Sequence, residues 1–182
     1  VFSSIDRHGR YAYGNQPDIL VWNMTQLATS LIPLMSDQKQ AVREFTQCVH
    51  AMPALIKTHW TAAFAAKLGI SEVTETDTTL INEFLAILTE ESADFTNGFR
   101  SLSDEPDDLP IRQHADFLGW EDKWQSRLDQ QSEDPIACMR LANPAVIPRN
   151  HRVEQMIQSA VNGDMAPFHT LLTALSRPFD PP

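Results

Sequence analysis

Apolar side chains recur every three or four residues along most of the chain, and this spacing most constrains the fold. The first run, from Leu20 to Leu31, forms one stripe of a helix over 17–32 that Pro17 opens, because proline is tolerated in the first helical turn. Alternating apolar and polar runs bounded by hairpin turns are nearly absent, and only residues 145–147 form a short extended candidate. We therefore expect an all-α protein.

Capping and breaking residues divide this pattern into separate helices. Ser36 or Asp37 suits the start of the second helix, which we expect Pro53 to kink or break because proline lacks a backbone donor. Gly69 suits the C-terminal cap that follows. The next helix is predicted to begin at Thr76 or Asp77, and two others to span 94–102 and 134–141. Another is predicted along the stripe of Phe117, Trp120, Trp124 and Leu128. The last two are predicted from Val153 towards Gly163 and from Phe168 towards Pro178. The acidic, proline-containing stretch 103–110 is interpreted as a surface loop.

Composition narrows the class of protein. The 182 residues are 42% hydrophobic and 21% charged, which favours one globular domain. The net charge of −10 opposes attraction to a phosphate backbone, so nucleic acid is not an expected partner. No run approaches the roughly 20 apolar residues of a membrane-spanning helix, and no membrane association is expected. Cys48 and Cys138 lie within helical patterns, which favours two buried thiols in a reducing compartment.

Known catalytic and metal-binding motifs do not match this sequence. Its six histidines lack the spacing of a zinc site, and neither a phosphate-binding glycine loop nor a nucleophile elbow occurs. The four tryptophans lie on or near helical apolar stripes and are expected in the core rather than in a ligand pocket. We accordingly assign no catalytic, cofactor-binding or metal-binding residue to this chain.

Two polar stretches stand apart from the helical pattern. In the first, residues 6–17, Arg10 has the planar donor fork that binds a carboxylate or phosphate, and Gly9 and Gly14 permit unusual backbone angles. In the second, residues 143–154, several polar and charged side chains crowd the helix start that Pro148 sets. Each stretch could be a functional loop or a set of buried polar ties that hold loops to the helical body.

These stretches carry a close resemblance to a known family. The run HGRYAYGNQP at 8–17, with Asp6 just before it, resembles a signature of the selenoprotein O family, also called YdiU. A second stretch, Asn143-Pro144 followed by PRNHRVE at 148–154, resembles another signature of this family. KLG at 67–69, GD at 163–164 and RPFD at 177–180 match in the same order, so the resemblance covers essentially the whole chain.

The resemblance implies a protein-kinase-like fold, once classed as a pseudokinase, that transfers AMP from ATP to hydroxyl groups of proteins. It further implies that residues 1–17 are the distal activation segment and that 18–182 form one helical domain, the C-terminal lobe with a family-specific extension. The family's ATP- and metal-binding groups would then precede this chain. ATP with Mg²⁺ or Mn²⁺ is expected for the longer protein, whereas this chain alone should bind no cofactor and be inactive.

Site and partner expectations follow from the same resemblance. Asp6, Arg10 and Tyr11 would shape the loop that faces the protein substrate. The expected partners are the N-terminal kinase-like portion of the same protein and the protein substrates, and the isolated chain could self-associate through its apolar face. The expected location is the cytoplasm of a bacterium, or the mitochondrion in a eukaryote. The alternative function is a noncatalytic helical interaction module.

Overall fold

The computed structural model describes residue 6 and residues 8–104 and 110–180. All regular secondary structure in these residues is helical, which confirms the predicted all-α class. Among the same residues, no helix combines the length and apolar character needed to cross a bilayer. The chain forms two compact units, residues 1–60 and 61–182. The predicted division at residue 17 stays a prediction.

The first unit contains α1 (Gln16–Leu31), two short 3-10 turns, and the larger part of α2 (Gln38–Lys67). The predicted first helix is confirmed. Asp37 caps α2 as expected, because its Oδ1 accepts a hydrogen bond of 2.9 Å from the backbone N–H of Gln40. The predicted break at Pro53 is wrong, since α2 continues through it. Proline removes one helical hydrogen bond, and in a helix this long the bonds on both sides preserve the helix.

The second unit begins with the end of α2, and its described residues contain a short 3-10 helix (Pro110–Gln113) and six further α-helices. They are α3 (Asp77–Glu90), α4 (Phe95–Asp104), α5 (Phe117–Leu128), α6 (Pro135–Ala142), α7 (Asn150–Val161) and α8 (Ala166–Leu175). The main packing pairs are α3 with α5, α4 with α6, and α7 with α8. The α7–α8 pair has no buried residue, and Val161 is 81% exposed. Packing of two helices on each other covers only one side of each, so the residues of their predicted apolar stripes are half-buried or exposed.

Aromatic side chains fill the core of the second unit. Phe84, Phe99, Phe117, Trp120 and Trp124 are almost completely buried. The indole N–H groups of Trp120 and Trp124 are hydrogen-bonded within this core. Trp120 donates to the Leu80 carbonyl, and Trp124 donates to the Leu68 carbonyl. The core prediction is confirmed for these two tryptophans. It is wrong for Trp22, which is 48% exposed.

Two predicted loop features differ from the structure. Ser103 and Asp104 belong to α4, whereas residues 105–109 of the predicted acidic loop lie outside the described residues. Asp104 is paired with arginines on α4 and α6, at 2.6 Å from Arg100 and 3.3 Å from Arg140. The 145–147 segment is not a strand, because the amides of Ala145 and Val146 both donate to the Pro178 carbonyl instead of to a neighbouring strand.

Gly69 ends α2 in the left-handed conformation, with φ of +77°. The amide of Ile70 donates to the Ala65 carbonyl and that of Gly69 to the Ala66 carbonyl, the Schellman arrangement that confirms the predicted cap. A Cβ at Gly69 would lie 2.8 Å from the Pro135 carbonyl oxygen. The position therefore excludes a side chain for both conformational and steric reasons.

We predict that Gly69→Ala lowers the free energy of unfolding by about 1–3 kcal/mol, measured by urea denaturation. Gly119→Ala is the matched control, because Gly119 lies within α5 with no atom within 4 Å of the added Cβ. In an open helical position alanine is about 1 kcal/mol better than glycine, so this control should be stabilised. A Gly69→Ala protein as stable as the unchanged chain would contradict the prediction.

Candidate functional site

The loop that leads into α1 is organised by the carboxylate of Asp6. Its Oδ1 accepts a hydrogen bond from the backbone N–H of Arg10, and its Oδ2 accepts one from the N–H of Tyr11, each at 2.8 Å. Between them, Gly9 adopts a φ of +66°, a left-handed angle that lets the chain turn back towards Asp6. One half-buried carboxylate thus fixes the backbone of both other residues of the predicted site.

Two amide side chains close the other side of this loop. Asn15 Nδ2 donates to the Gly9 carbonyl at 2.9 Å, and Gln16 Nε2 donates to the Tyr11 carbonyl at 2.6 Å. These bonds hold the loop against the first turn of α1. The loop is stabilised largely by its own side chains, and it leaves the Tyr11 ring 43% exposed.

The guanidinium group of Arg10 rests on an aromatic surface. Its central carbon lies 4.5 Å from the centroid of the Trp22 ring and 5.7 Å from that of Tyr11, a cation–π arrangement. Arg10 forms no ion pair with a carboxylate of the described residues. Among the described residues, no carboxylate occupies its donor fork.

Trp22 is the member of this arrangement that sequence reasoning missed. It lies two residues after Leu20, which places it about 200° around the helix from the Leu20–Leu31 stripe. This position away from the apolar stripe could have indicated that Trp22 does not pack with the apolar face of the helix. The structure places Asp6, Arg10 and Tyr11 in one loop, with Trp22 as the surface on which Arg10 rests. Their role towards a protein substrate stays a prediction.

In the second polar stretch, Asn143 ties separate segments of the fold together. Asn143 is fully buried, and its Nδ2 donates to the Lys67 carbonyl at 2.8 Å while its own carbonyl accepts from Arg100 Nη1 at 2.9 Å. Lys67 Nζ returns a bond to Asn143 Oδ1 at 3.3 Å, and burial lowers the pKa of this ammonium group. These bonds join the end of α2 to the segment after α6, which confirms the polar-tie interpretation for Asn143.

Arg149, in the same stretch, forms an ion pair that links two helices. It forms a two-pronged ion pair with Asp94, with N–O distances of 2.5 and 2.9 Å. The hydrogen bonds from Arg149 hold the pKa of Asp94 below its usual range, despite partial burial. The pair connects the start of α7 to the start of α4, so Arg149 has no donor fork aimed at a ligand.

The thiols and the histidines add no second site. Cys48 is exposed, so the prediction of two buried thiols is wrong for it, while Cys138 is half-buried and burial raises the pKa of its thiol. Cys48 lies on an α2 face that the first unit leaves open. In the part of the chain that the structure describes, no three His, Cys, Asp or Glu side chains are grouped to hold a metal ion.

Comparison with known proteins identifies the class to which this helical chain belongs. A protein from Ruegeria sp., named protein nucleotidyltransferase YdiU, is 51% identical over 180 residues, covering 99% of this chain and 38% of its own length. A protein of the same name from Roseobacter denitrificans is 52% identical over 182 residues, with the same coverage. A third, from Brevibacillus brevis, is 42% identical over 185 residues, covering 98% of this chain and 38% of its own length.

The family model described as "Protein adenylyltransferase SelO" matches residues 1–176. The chain belongs to the SelO family. It spans about 38% of the length of the curated relatives it matches. The predicted resemblance is confirmed.

Proposed function

We propose that this chain is the helical C-terminal part of a protein adenylyltransferase that transfers AMP from ATP to Ser, Thr or Tyr hydroxyls of proteins. The SelO family match and the relatives named protein nucleotidyltransferases support this assignment. Among the described residues, no three His, Cys, Asp or Glu side chains are grouped to hold a metal ion. ATP and Mg²⁺ or Mn²⁺ would be bound by the remainder of the longer protein, and the 182-residue chain alone would be inactive.

In this proposal the loop around Arg10 faces the protein acceptor. The observation that carries it is the Asp6 carboxylate, which holds the amides of Arg10 and Tyr11 and so presents both side chains outward. Trp22 supports the Arg10 guanidinium, whose fork then meets an acidic or phosphorylated side chain near the acceptor hydroxyl. Such preorganisation lowers the ordering cost of binding an acceptor. The proposal includes a bacterial cytoplasmic location, of which the bacterial origin is supported by the bacterial relatives.

The test is AMP transfer by the longer protein carrying Arg10→Ala, with labelled ATP, Mg²⁺ and a protein acceptor. Losing a hydrogen bond to a charged group costs about 1.5–3 kcal/mol, so kcat/KM for the acceptor should fall by about 10- to 100-fold. The KM for ATP should be unchanged. Arg43→Ala, at an exposed position of α2, is the control and should transfer AMP at the unchanged rate. Unaltered acceptor kinetics in Arg10→Ala would refute the role of the loop.

The second candidate is a noncatalytic helical interaction module. The observation in its favour is the open apolar face of the first unit, which suits the binding of another protein. The same labelled assay separates the two candidates. Transfer by the longer protein and not by the 182-residue chain supports the transferase, whereas no transfer by either supports the module.

A further inference from the structure

The loop that leads into α1 forms a pocket of about 340 Å³ together with α1 and α2, all within the first unit. Its lining residues include Tyr13, Gly14 and Pro17 from the loop and the start of α1, and Ile56 and Trp60 from α2. No lining residue carries a charged side chain. Because Pro17, Ile56 and Trp60 are half-buried, the pocket has an apolar surface that is already partly shielded from water.

The chemistry of this lining selects an apolar side chain as the ligand. Pockets for small ligands have volumes of about 300–1,000 Å³, and this one lies near the lower end, which suits a single side chain. Burying a charged group costs free energy unless a partner is present, and the lining offers no ionised partner. The amide nitrogen of Gln16, which also lines the pocket, already donates to the Tyr11 carbonyl at 2.6 Å. The lining therefore favours an aliphatic or aromatic side chain.

The pocket and Arg10 belong to one hydrogen-bonded loop. The bond from Gln16 to the Tyr11 carbonyl joins the pocket to the residue after Arg10, and Asn15 Nδ2 donates to the carbonyl of Gly9, the residue before it. The pocket residues begin only three positions after Arg10, and three residues span at most about 10 Å. An extended peptide advances about 3.3 Å per residue, so one short segment reaches both Arg10 and the pocket.

We propose that this pocket is a second recognition site for the protein acceptor, and that it takes an aliphatic or aromatic side chain a few residues from the acidic or phosphorylated side chain that meets Arg10. The inference rests on the proposed function, because the acceptor is the substrate of AMP transfer. It adds the class of residue that distinguishes one acceptor from another. Apolar pockets distinguish side chains that differ by one methylene by about 10- to 200-fold.

The experiment measures AMP transfer by the longer protein to synthetic peptides that contain one tyrosine acceptor, one glutamate and one variable residue, placed in every order. At the preferred position, kcat/KM should be at least about ten-fold higher for leucine or phenylalanine than for serine. Gly14→Leu should remove this preference, because it adds a side chain to the pocket lining at a place where a Cβ meets no atom within 4 Å. Gly119→Leu, at an equally open position within α5, is the matched control and should keep the preference.

Equilibrium binding of the same peptides, labelled with fluorescein, separates the pocket from the proposed function. Binding that prefers leucine to serine at least about ten-fold and loses this preference in Gly14→Leu supports the pocket, even if no AMP is transferred and the proposed function fails. Transfer with equal kcat/KM for the leucine and serine peptides overturns the pocket and leaves the proposed function intact. A preference that persists in Gly14→Leu also overturns the pocket, as does a KM for ATP that this variant changes, since the pocket would then bind the nucleotide.

Discussion

Replacing Arg127 by methionine should lower the free energy of unfolding by about 3–5 kcal/mol at pH 7, because it leaves the Asp77 carboxylate buried without its counter-charge. Asp77 is 1% exposed and lies 2.8 Å from Arg127 Nε, and Arg127 also donates to the Glu72 carbonyl. This pair ties the start of α3 to α5. Urea denaturation followed by far-UV circular dichroism measures the loss.

The pH dependence of this loss is also determined by the environment of Asp77. Burial alone would raise its pKa, but hydrogen bonds from Arg127 and Thr74 outweigh burial and hold the pKa below the usual 3.8. In the unchanged chain the stabilisation by Asp77 is therefore present above about pH 4 and is lost as pH falls through the lowered pKa. In Arg127→Met the lowering of the Asp77 pKa by Arg127 is lost while burial and the Thr74 hydrogen bonds remain, so the carboxyl protonates more readily. The difference between the two proteins should shrink as pH falls towards 4.

Two controls make this prediction specific. The double variant Asp77→Asn with Arg127→Met removes both charges and keeps an oxygen for the Thr74 amide, so it should recover much of the lost stability. Arg177→Met removes an arginine that is 77% exposed, and the cost should be at most about 1 kcal/mol. An Arg127→Met loss no greater than that of Arg177→Met would show that the buried pair does not stabilise the fold.

Trp120→Ala should also cost about 3–5 kcal/mol, since it empties the centre of the aromatic core. Trp120 is 2% exposed, with ring centroids 4.5 Å from Phe84 and 5.3 Å from Trp124. Trp120→Phe keeps a ring but removes the N–H that binds the Leu80 carbonyl, so it should lose less.

The matched control is Trp22→Ala in the 182-residue chain. Trp22 is 48% exposed, and we expect its replacement to cost well under half as much as that of Trp120. Denaturant midpoints measured by circular dichroism compare the variants without relying on tryptophan fluorescence. Equal losses for the two tryptophans would contradict the packing described for the second unit.

Local sequence signals located the helices well, because each depends on residues that are close in the chain. The predicted helix over 17–32 corresponds to α1 (Gln16–Leu31), and the predicted 134–141 segment corresponds to α6 (Pro135–Ala142). Pro53 was misjudged because its effect depends on the length of helix on both sides. Burial was less predictable still, since the same apolar spacing occurs in the buried α5 and in the unburied α7.

The candidate site, too, was predicted only in part from the sequence. Composition and family resemblance selected Asp6, Arg10 and Tyr11, but gave no means of assigning a separate task to each. The structure assigns Asp6 to backbone amides rather than to the Arg10 guanidinium, and it places that guanidinium on Trp22. The ring lies twelve residues further along the chain, so its approach depends on how the loop folds back on α1.

The amino-acid sequence by itself determined the all-helical class, most helix positions and the family, because spacing, caps and signature residues are local properties of the chain. Tertiary structure decided which apolar stripes are buried, which polar residues form ties, and which of the two signature arginines is paired with a described carboxylate. Arg149 is paired with Asp94 and Arg10 is not paired with a described carboxylate, although both arginines lie in signature stretches. The physical reason is that burial and pairing depend on neighbours distant in sequence, which only the packed helices bring together.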